Sequence, residues 1–468
     1  MRNHFNDSPL ALPEILPAVR PQGWFSEARL LLNLALPMMV GSVIETVYNL
    51  TDAFFLGKLG TAQIGAPSIS FSLVFFLIVF GMGLSGAGTT LISQSRGKND
   101  AVKMNHYMNQ LASLLTVASI VLSAIGVALA GPILRLLSTP EEVYGYAFTY
   151  MTIVFLGIPF MFVYFVLQAS FTAVGDTVTP LKVHLLAIAV NVIMDPLLIF
   201  GLGPFPALGV AGAAIATVLS QGIGAVLALI VLARGKAGLR LSLAAMRPDR
   251  RAWGLLLKIG LPSSVGQALS AFGFTVLQGV VNRFGTAAIA AFGVGNRIMR
   301  MFDIPTQGMA NATTSLVGKA MGARDHATVR RTVRSALSLI VVFEVPFLLL
   351  AFFFGGELVR LFVNDAEAIR LGDLMFKVVN PSLLMFGLYM ALTGAFQGAG
   401  DTRIIMVLSV IRLWVIRVPL AYALAYLTDL GPLSIWIAMF VSNFLTATAG
   451  GLYFKSGRWK KALDPDTV

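Results

Sequence analysis

Apolar residues gather in long, nearly uninterrupted runs along the chain, and short polar clusters divide them. Runs of about 20 mostly apolar residues have the length a helix needs to cross a bilayer. Twelve can be read, near 28–56, 62–94, 109–137, 141–171, 178–202, 209–233, 253–282, 286–320, 329–362, 369–397, 403–428 and 432–455. The connecting segments carry turn signals, among them Gly97-Lys98-Asn99-Asp100, Gly175-Asp176-Thr177, Gly322-Ala323-Arg324-Asp325 and Gly400-Asp401-Thr402. The pattern predicts an all-α polytopic membrane protein with 12 transmembrane helices.

Composition narrows the function classes. Of 468 residues, 57% are hydrophobic and 12% charged, against roughly 25% charged in an ordinary soluble domain. Mean hydropathy is +0.81. A soluble enzyme and a disordered chain are both excluded. Cysteine is absent, so no thiol or disulfide chemistry is available. His4, His106, His184 and His326 lie far apart, without metal-ligand spacing. A net charge of +12 would suggest nucleic acid in a soluble protein. Here its distribution points to the membrane instead. Of the 34 Lys and Arg, 23 fall at the termini and in or at the edges of the loops on the same side as the termini, and six sit within spans. Only Lys58, Arg135, Arg283, Arg360 and Arg370 fall on the other side. The positive-inside rule then places both termini in the cytoplasm, which an even span count requires. Residues 1–24 are polar and proline-rich and show no signal-peptide core, so the first run reads as an uncleaved span.

The chain repeats itself at one offset. Leu36-Pro37 and Val40-Gly41 recur as Leu261-Pro262 and Val265-Gly266, Gly60-Thr61-Ala62 as Gly285-Thr286-Ala287, and Gly175-Asp176-Thr177 as Gly400-Asp401-Thr402. Each pair differs by 225 positions, which divides the protein into two six-helix lobes. The expected organisation is a cytoplasmic tail over 1–27, an N-lobe over 28–233, a basic cytoplasmic linker over 234–252, a C-lobe over 253–456 and a second tail over 457–468. Each lobe has an even number of spans, so the two share one orientation and are related by a pseudo-two-fold axis along the membrane normal. Transporters of this design bind substrate near the midplane and move one half against the other.

The lobes differ in their intramembrane acids. Glu45, Asp52 and Asp195 correspond to Ser270, Leu277 and Leu420. Glu45, Asn49 and Asp52 are spaced to share one helix face, as are Asn191 and Asp195. Pro196 removes a backbone donor directly after Asp195, and Pro37 gives the first span a candidate hinge. Thr217 and Gln168 add oxygen ligands. A carboxylate inside a span costs about 2.5–3.5 kcal/mol on insertion scales, so such residues are functional or paired. Burial and a like-charged neighbour both disfavour ionisation, which suits two adjacent acids to proton exchange near neutral pH. The alternative is that Asp52 and Asp195 lock helices together through Asn191 and Thr217. Asp176 and Asp401 read as helix N-caps. Asp303, Glu344, Arg412 and Arg417 in the second half read first as a buried ion-pair network and second as another site.

Taken together these features resemble the multidrug and toxic compound extrusion (MATE) family over about residues 28–458. The carriers are Ala35-Leu36-Pro37-Met38-Met39 and Asn49-Leu50-Thr51-Asp52, Asn191-Val192-Ile193-Met194-Asp195-Pro196, the two Gly-Asp turns and Leu261-Pro262-Ser263-Ser264. The resemblance implies an antiporter that expels organic cations and drugs, with a V-shaped pair of lobes, in the bacterial cytoplasmic (inner) membrane. It is closest to the DinF-like branch, which carries acids at the positions of Asp52 and Asp195 with polar neighbours at Asn191, Thr217 and Gln168. The NorM-like branch has acids in the seventh and tenth spans. Here the seventh shows Gln267 and the tenth has no acid between Pro381 and Gly400. The expected coupling ion is H⁺ ahead of Na⁺, although Asp52, Asn191, Asp195 and Thr217 form an all-oxygen set that could hold Na⁺. No cofactor, no nucleic-acid partner and a monomer in the lipid bilayer are expected. A lipid-linked precursor flippase of the same superfamily is the rival reading. A membrane enzyme is disfavoured, because no nucleophile–base set or metal site is visible.

Overall fold

The computed structural model describes residues 23–461. Among the described residues there are twelve long helices and no strand. They are α1 (Trp24–Gly57), α2 (Thr61–Gly97), α3 (Ala101–Leu136), α4 (Glu141–Ala173), α5 (Val178–Phe200), α6 (Val210–Ala233), α7 (Arg250–Asn282), α8 (Gly285–Gly322), α9 (His326–Arg360), α10 (Ala366–Ala399), α11 (Thr402–Leu427) and α12 (Leu433–Ser456). Eleven are long and apolar enough to cross a membrane. The twelfth, α8, is as long as the others but carries Arg297, Arg300, Asp303 and Lys319.

Several helices begin before their apolar runs. α3 starts at Ala101, ahead of the expected 109, with Asp100 accepting from the Lys103 N–H at 2.8 Å. Apolar length measures what sits in lipid, whereas capping fixes where the helix begins. The added turns hold the interlobe linker. Asn105 donates to the Gly238 carbonyl at 2.8 Å and accepts from the Arg240 N–H at 2.7 Å. Asn109 donates to the Arg240 carbonyl at 3.1 Å and accepts from Ser242 N–H at 2.8 Å. Gln110 donates to the Ala245 and Arg247 carbonyls and accepts from Asp249 N–H. These amides act on the linker as a strand partner would, satisfying backbone that no regular element satisfies. A second departure is in α11, where Ile411–Arg417 is π-helical. The first expected tail lies mostly outside the described residues, as do residues 462–468 of the second.

The lobes α1–α6 and α7–α12 meet across a pseudo-two-fold axis, and their contacts are reciprocal. α1 packs on α8 while α7 packs on α2. A Cβ on Gly97 would lie 2.0 Å from the Lys319 carbonyl oxygen, and one on Gly322 would lie 1.9 Å from that of Gln94. Only glycine permits this approach. Thr90 donates to the Gln397 carbonyl at 2.7 Å, and Ser315 donates to the Thr172 carbonyl at 2.6 Å. Each contact maps onto its mate at the 225-residue offset. The interlobe side-chain hydrogen bonds of Thr90, Gln94, Ser264, Ser315 and Thr332 lie at mid-depth, as Ser264 to the Phe80 carbonyl does, or toward the end that carries the linker. At that end Glu27, the start of α1, is buried and reaches Arg331 and Thr332 of α9. The lobes are therefore sealed at the linker end. Toward the far end, Leu50, Phe54, Phe76, Phe272 and Phe274 remain exposed.

Candidate functional site

α5 and α6 are brought together by a missing side chain. A Cβ on Gly212 would fall 2.3 Å from the Leu198 carbonyl oxygen, so glycine there lets α6 lie against α5. This places Thr217 beside Asn191. With its amide oriented by its hydrogen bonds, Asn191 donates to Asp195 Oδ2 at 2.9 Å and accepts from the Thr217 N–H at 3.2 Å. Asn191 and Asp195 are both buried. From α1, the Tyr48 hydroxyl lies 3.4 Å from Thr217 Oγ1, which itself donates to the Ala213 carbonyl at 3.1 Å. Asp52 follows Tyr48 by one turn. Asp195, Tyr48 and Tyr150 of α4 are its electrostatic neighbours. One buried oxygen of each carboxylate, Asp52 Oδ1 and Asp195 Oδ1, has no hydrogen-bond partner. Two acids thus share a site with one oxygen apiece uncommitted, which is the arrangement needed to take up a proton or bind a cation.

The structure groups Asp52, Asn191, Asp195 and Thr217. It does not add the other three polar candidates. Asn49 and Glu45 are exposed, because the face of α1 turned to α5 and α6 carries Tyr48 and Asp52. Glu45 instead has electrostatic neighbours in Tyr164 and His184, whose rings stack at 5.2 Å. Gln168 lies 18 residues beyond Tyr150 on α4, about 27 Å along the helix. It lines a cavity of about 110 Å³ between the lobes, with Met38, Thr89, Thr172, Asn311 and Gln397. Its distance along α4 keeps it from the acids. Pro37 sits in a continuous α1, two residues before Met39, which meets Gly308 of α8. Tyr48 and Tyr150 were not singled out from the sequence. Tyr48 had a usable signal in its four-residue spacing from Asp52; Tyr150 had none.

The C-lobe charges are not a salt-bridge network. Glu344 Oε1 accepts from Thr306 at 2.5 Å while Oε2 has no partner, and its head fits against Gly387. Arg417 donates to Ser442 at 2.8 Å and Asn443 at 2.5 Å. Arg412 stacks 4.7 Å from the centre of the Phe386 ring. No ion pair among the described residues joins these groups to one another or to Asp303, because neutral polar and aromatic partners occupy the positions an acid would take. Asp176 accepts from the Thr179 N–H at 2.9 Å, one residue before the helix boundary. Asp401 makes no side-chain cap bond and accepts instead from the Tyr453 hydroxyl at 2.6 Å. Among the described residues no three His, Cys, Asp or Glu converge as a metal site.

The MatE family profile matches residues 37–197 and 262–423, one match in each lobe. A probable multidrug resistance protein, YpnP of Bacillus subtilis (strain 168), is 30% identical over 440 residues, covering 93% of this chain and 97% of its own. A FAD transporter of Shewanella oneidensis is 26% identical over 90% of this chain and 93% of its own. A solved structure described as the outward-facing conformation of a multidrug resistance MATE family transporter superposes with a TM-score of 0.86, at 24% identity, over 93% of this chain and 97% of that one. At that identity the likeness establishes the fold.

Proposed function

The chain belongs to the MatE family of membrane transporters, and from that premise we propose that it is a secondary active exporter of organic cations and drugs, driven by protons taken up at Asp52 and Asp195. The observation that carries this reading is the pair of acids on α1 and α5 with two uncommitted buried oxygens, set among Tyr48, Asn191 and, from two further helices, Tyr150 of α4 and Thr217 of α6. Proton uptake is supported by the Asn191 amide, which donates to Asp195 when turned to satisfy its hydrogen bonds. A sodium ion held by all four residues would need the opposite amide orientation.

With the termini and linker in the cytoplasm, a seal at the linker end makes this the outward-facing state. A cation held by the deprotonated acids is released when protons arriving from outside neutralise them. The lobes then return, and Pro37 supplies the point at which α1 bends. Coupling requires that protonation and cargo favour different states. Glu45, beside Tyr164 and His184, and Asn49 lie on an exposed face of α1 apart from the pair, where they offer a cation a first polar contact. The protein acts as a monomer in the bacterial inner membrane.

The test is efflux of a fluorescent organic cation from proteoliposomes, under a pH gradient without sodium and under a sodium gradient without a pH difference. Efflux on the pH gradient alone, lost in Asp52→Asn, is expected. Efflux only with sodium would assign the same residues to a metal-ligand role. A second reading, export or flipping of an anionic amphiphile, draws on Arg412 and Arg417, which lack acid partners within ion-pair distance. It predicts wild type that moves no cation under either gradient.

A further inference from the structure

The cavity between the lobes, which contains none of the acids, has a chemistry of its own. It is lined from both lobes and shares Thr172 and Gln397 with the seal. Two of the side chains that line it, Thr172 of the N-lobe and Gln397 of the C-lobe, are equivalent at the 225-residue offset. Both residues are at least nine-tenths buried, at 4% and 9% exposure. The Thr172 hydroxyl and the Gln397 amide nitrogen have no hydrogen-bond partner. A threonine in a helix ordinarily spends its hydroxyl on the carbonyl one turn back, as Thr89 and Thr314 do nearby. A buried donor left unmade is costly, so two equivalent ones facing one chamber point to an acceptor that completes them.

The backbone of the same two residues forms the seal. The Gln397 carbonyl accepts from Thr90 and the Thr172 carbonyl accepts from Ser315, each bond crossing between lobes. Gly86 leaves the Gln397 amide its space, since a Cβ there would lie 3.1 Å from Nε2. The chamber holds no charged side chain. Its volume of about 110 Å³ admits one polar group with its immediate neighbours. Whole drug sites occupy roughly 300–1,000 Å³.

We infer that this chamber is a neutral subsite for an acceptor oxygen of the substrate, a carbonyl or ether group, gripped by Thr172 from one lobe and Gln397 from the other. The donors converge only when the lobes are sealed at the linker end. An oxygen bound there therefore favours the sealed state, and the substrate closes the cytoplasmic entrance behind itself. The inference rests on the export reading above and adds the part of the substrate that the acids do not recognise.

The experiment uses two probes on the purified full-length protein: a phenylpentyl-triphenylphosphonium cation and its phenyl-ketone analogue, identical but for one carbonyl. The wild type is expected to bind the ketone about tenfold more tightly, the size of one good hydrogen bond. Thr172→Val with Gln397→Met keeps both backbone carbonyls and should abolish that advantage without changing affinity for the carbonyl-free cation. Thr172→Ser with native Gln397 should retain it. Since the chain has no cysteine, Ser93→Cys gives a single reporter within the seal. The ketone should slow its maleimide labelling more than the carbonyl-free cation does. Equal affinities in the wild type, or an advantage that survives the double substitution, would overturn the subsite. Labelling unaffected by the carbonyl would overturn its link to the seal. Failure of the wild type to bind either cation would overturn the export reading itself.

Discussion

At the scale of residues, the acids are set apart by their surroundings. Asp195 is legible in the sequence because a carboxylate inside an apolar run is expensive enough to require a purpose. Its partners are less so: Asn191 follows from helical spacing, whereas Tyr150 comes from a helix that no local pattern connects to it. Capping aspartates outside the spans behave differently. The Thr328 hydroxyl and backbone N–H hold the Asp325 carboxyl below its ordinary value, and the Arg251 N–H does the same for Asp249. A depressed folded-state value contributes stability above the unfolded pKa, near 3.9, and that stability is lost as pH falls through the still lower folded value. These caps thus remain ionised between pH 5 and 8. We expect Asp325→Ala to lower stability by about 1 kcal/mol at neutral pH. The cost should be unchanged at pH 5.5, as measured by thermal unfolding in detergent.

Among the elements, α3 and α11 depart from what hydropathy implies. The polar start of α3 is an organising surface, because Asn105, Asn109 and Gln110 fix the linker that joins the lobes. Asn109 is almost fully buried, while Arg240 and Arg247 on the linker are exposed. Asn109→Leu removes two linker bonds and leaves the Arg240 carbonyl and Ser242 N–H without that partner. Trypsin should then cut after Arg240 several-fold faster than in wild type, with the transmembrane fragments otherwise intact; the bond after Arg247 resists trypsin because Pro248 follows it. Unchanged cleavage would mean that Asn105 and Gln110 suffice to hold the linker. In α11, the π-helical stretch contains both buried arginines, and its counterpart in α5 is regular helix. The repeat is therefore broken close to where the two lobes differ in buried charge: Asp195 on α5, Arg412 and Arg417 on α11. Residue offsets show that Asp195 has no mate. Backbone geometry shows that the helix around its equivalent was rebuilt.

For the whole molecule, the seal is the feature on which transport turns. Its hydroxyl–carbonyl pairs are individually modest, each about 0.5–1.5 kcal/mol, and they sit among glycine contacts that no side chain can occupy. A lock of that strength can open within a transport cycle. Thr90→Val with Ser315→Ala removes both donors without touching the acids. The Ser93→Cys reporter should then label several-fold faster than in the parent, and cation efflux should fall even though binding at the acids persists. Labelling at the parent rate would show that the glycine packing and the remaining contacts of Gln94, Ser264 and Glu27 carry the seal.

The sequence by itself determined the membrane class, the twelve spans, the duplicated architecture and the acids of the N-lobe. Each of these rests on local chemistry or on one repeated spacing: apolar length, the cost of an intramembrane charge, the offset of 225. Only the tertiary structure decided which polar residues meet. It set Asp52 and Asp195 near Tyr48 and Tyr150, placed Gln168 at the interlobe chamber, and kept Arg412 and Arg417 beyond ion-pair distance of any described acid, with Asp303 as an electrostatic neighbour of Arg412. Those outcomes depend on how helices approach one another, and that is governed by glycines such as Gly212, Gly97 and Gly322, whose role lies in the neighbours they admit.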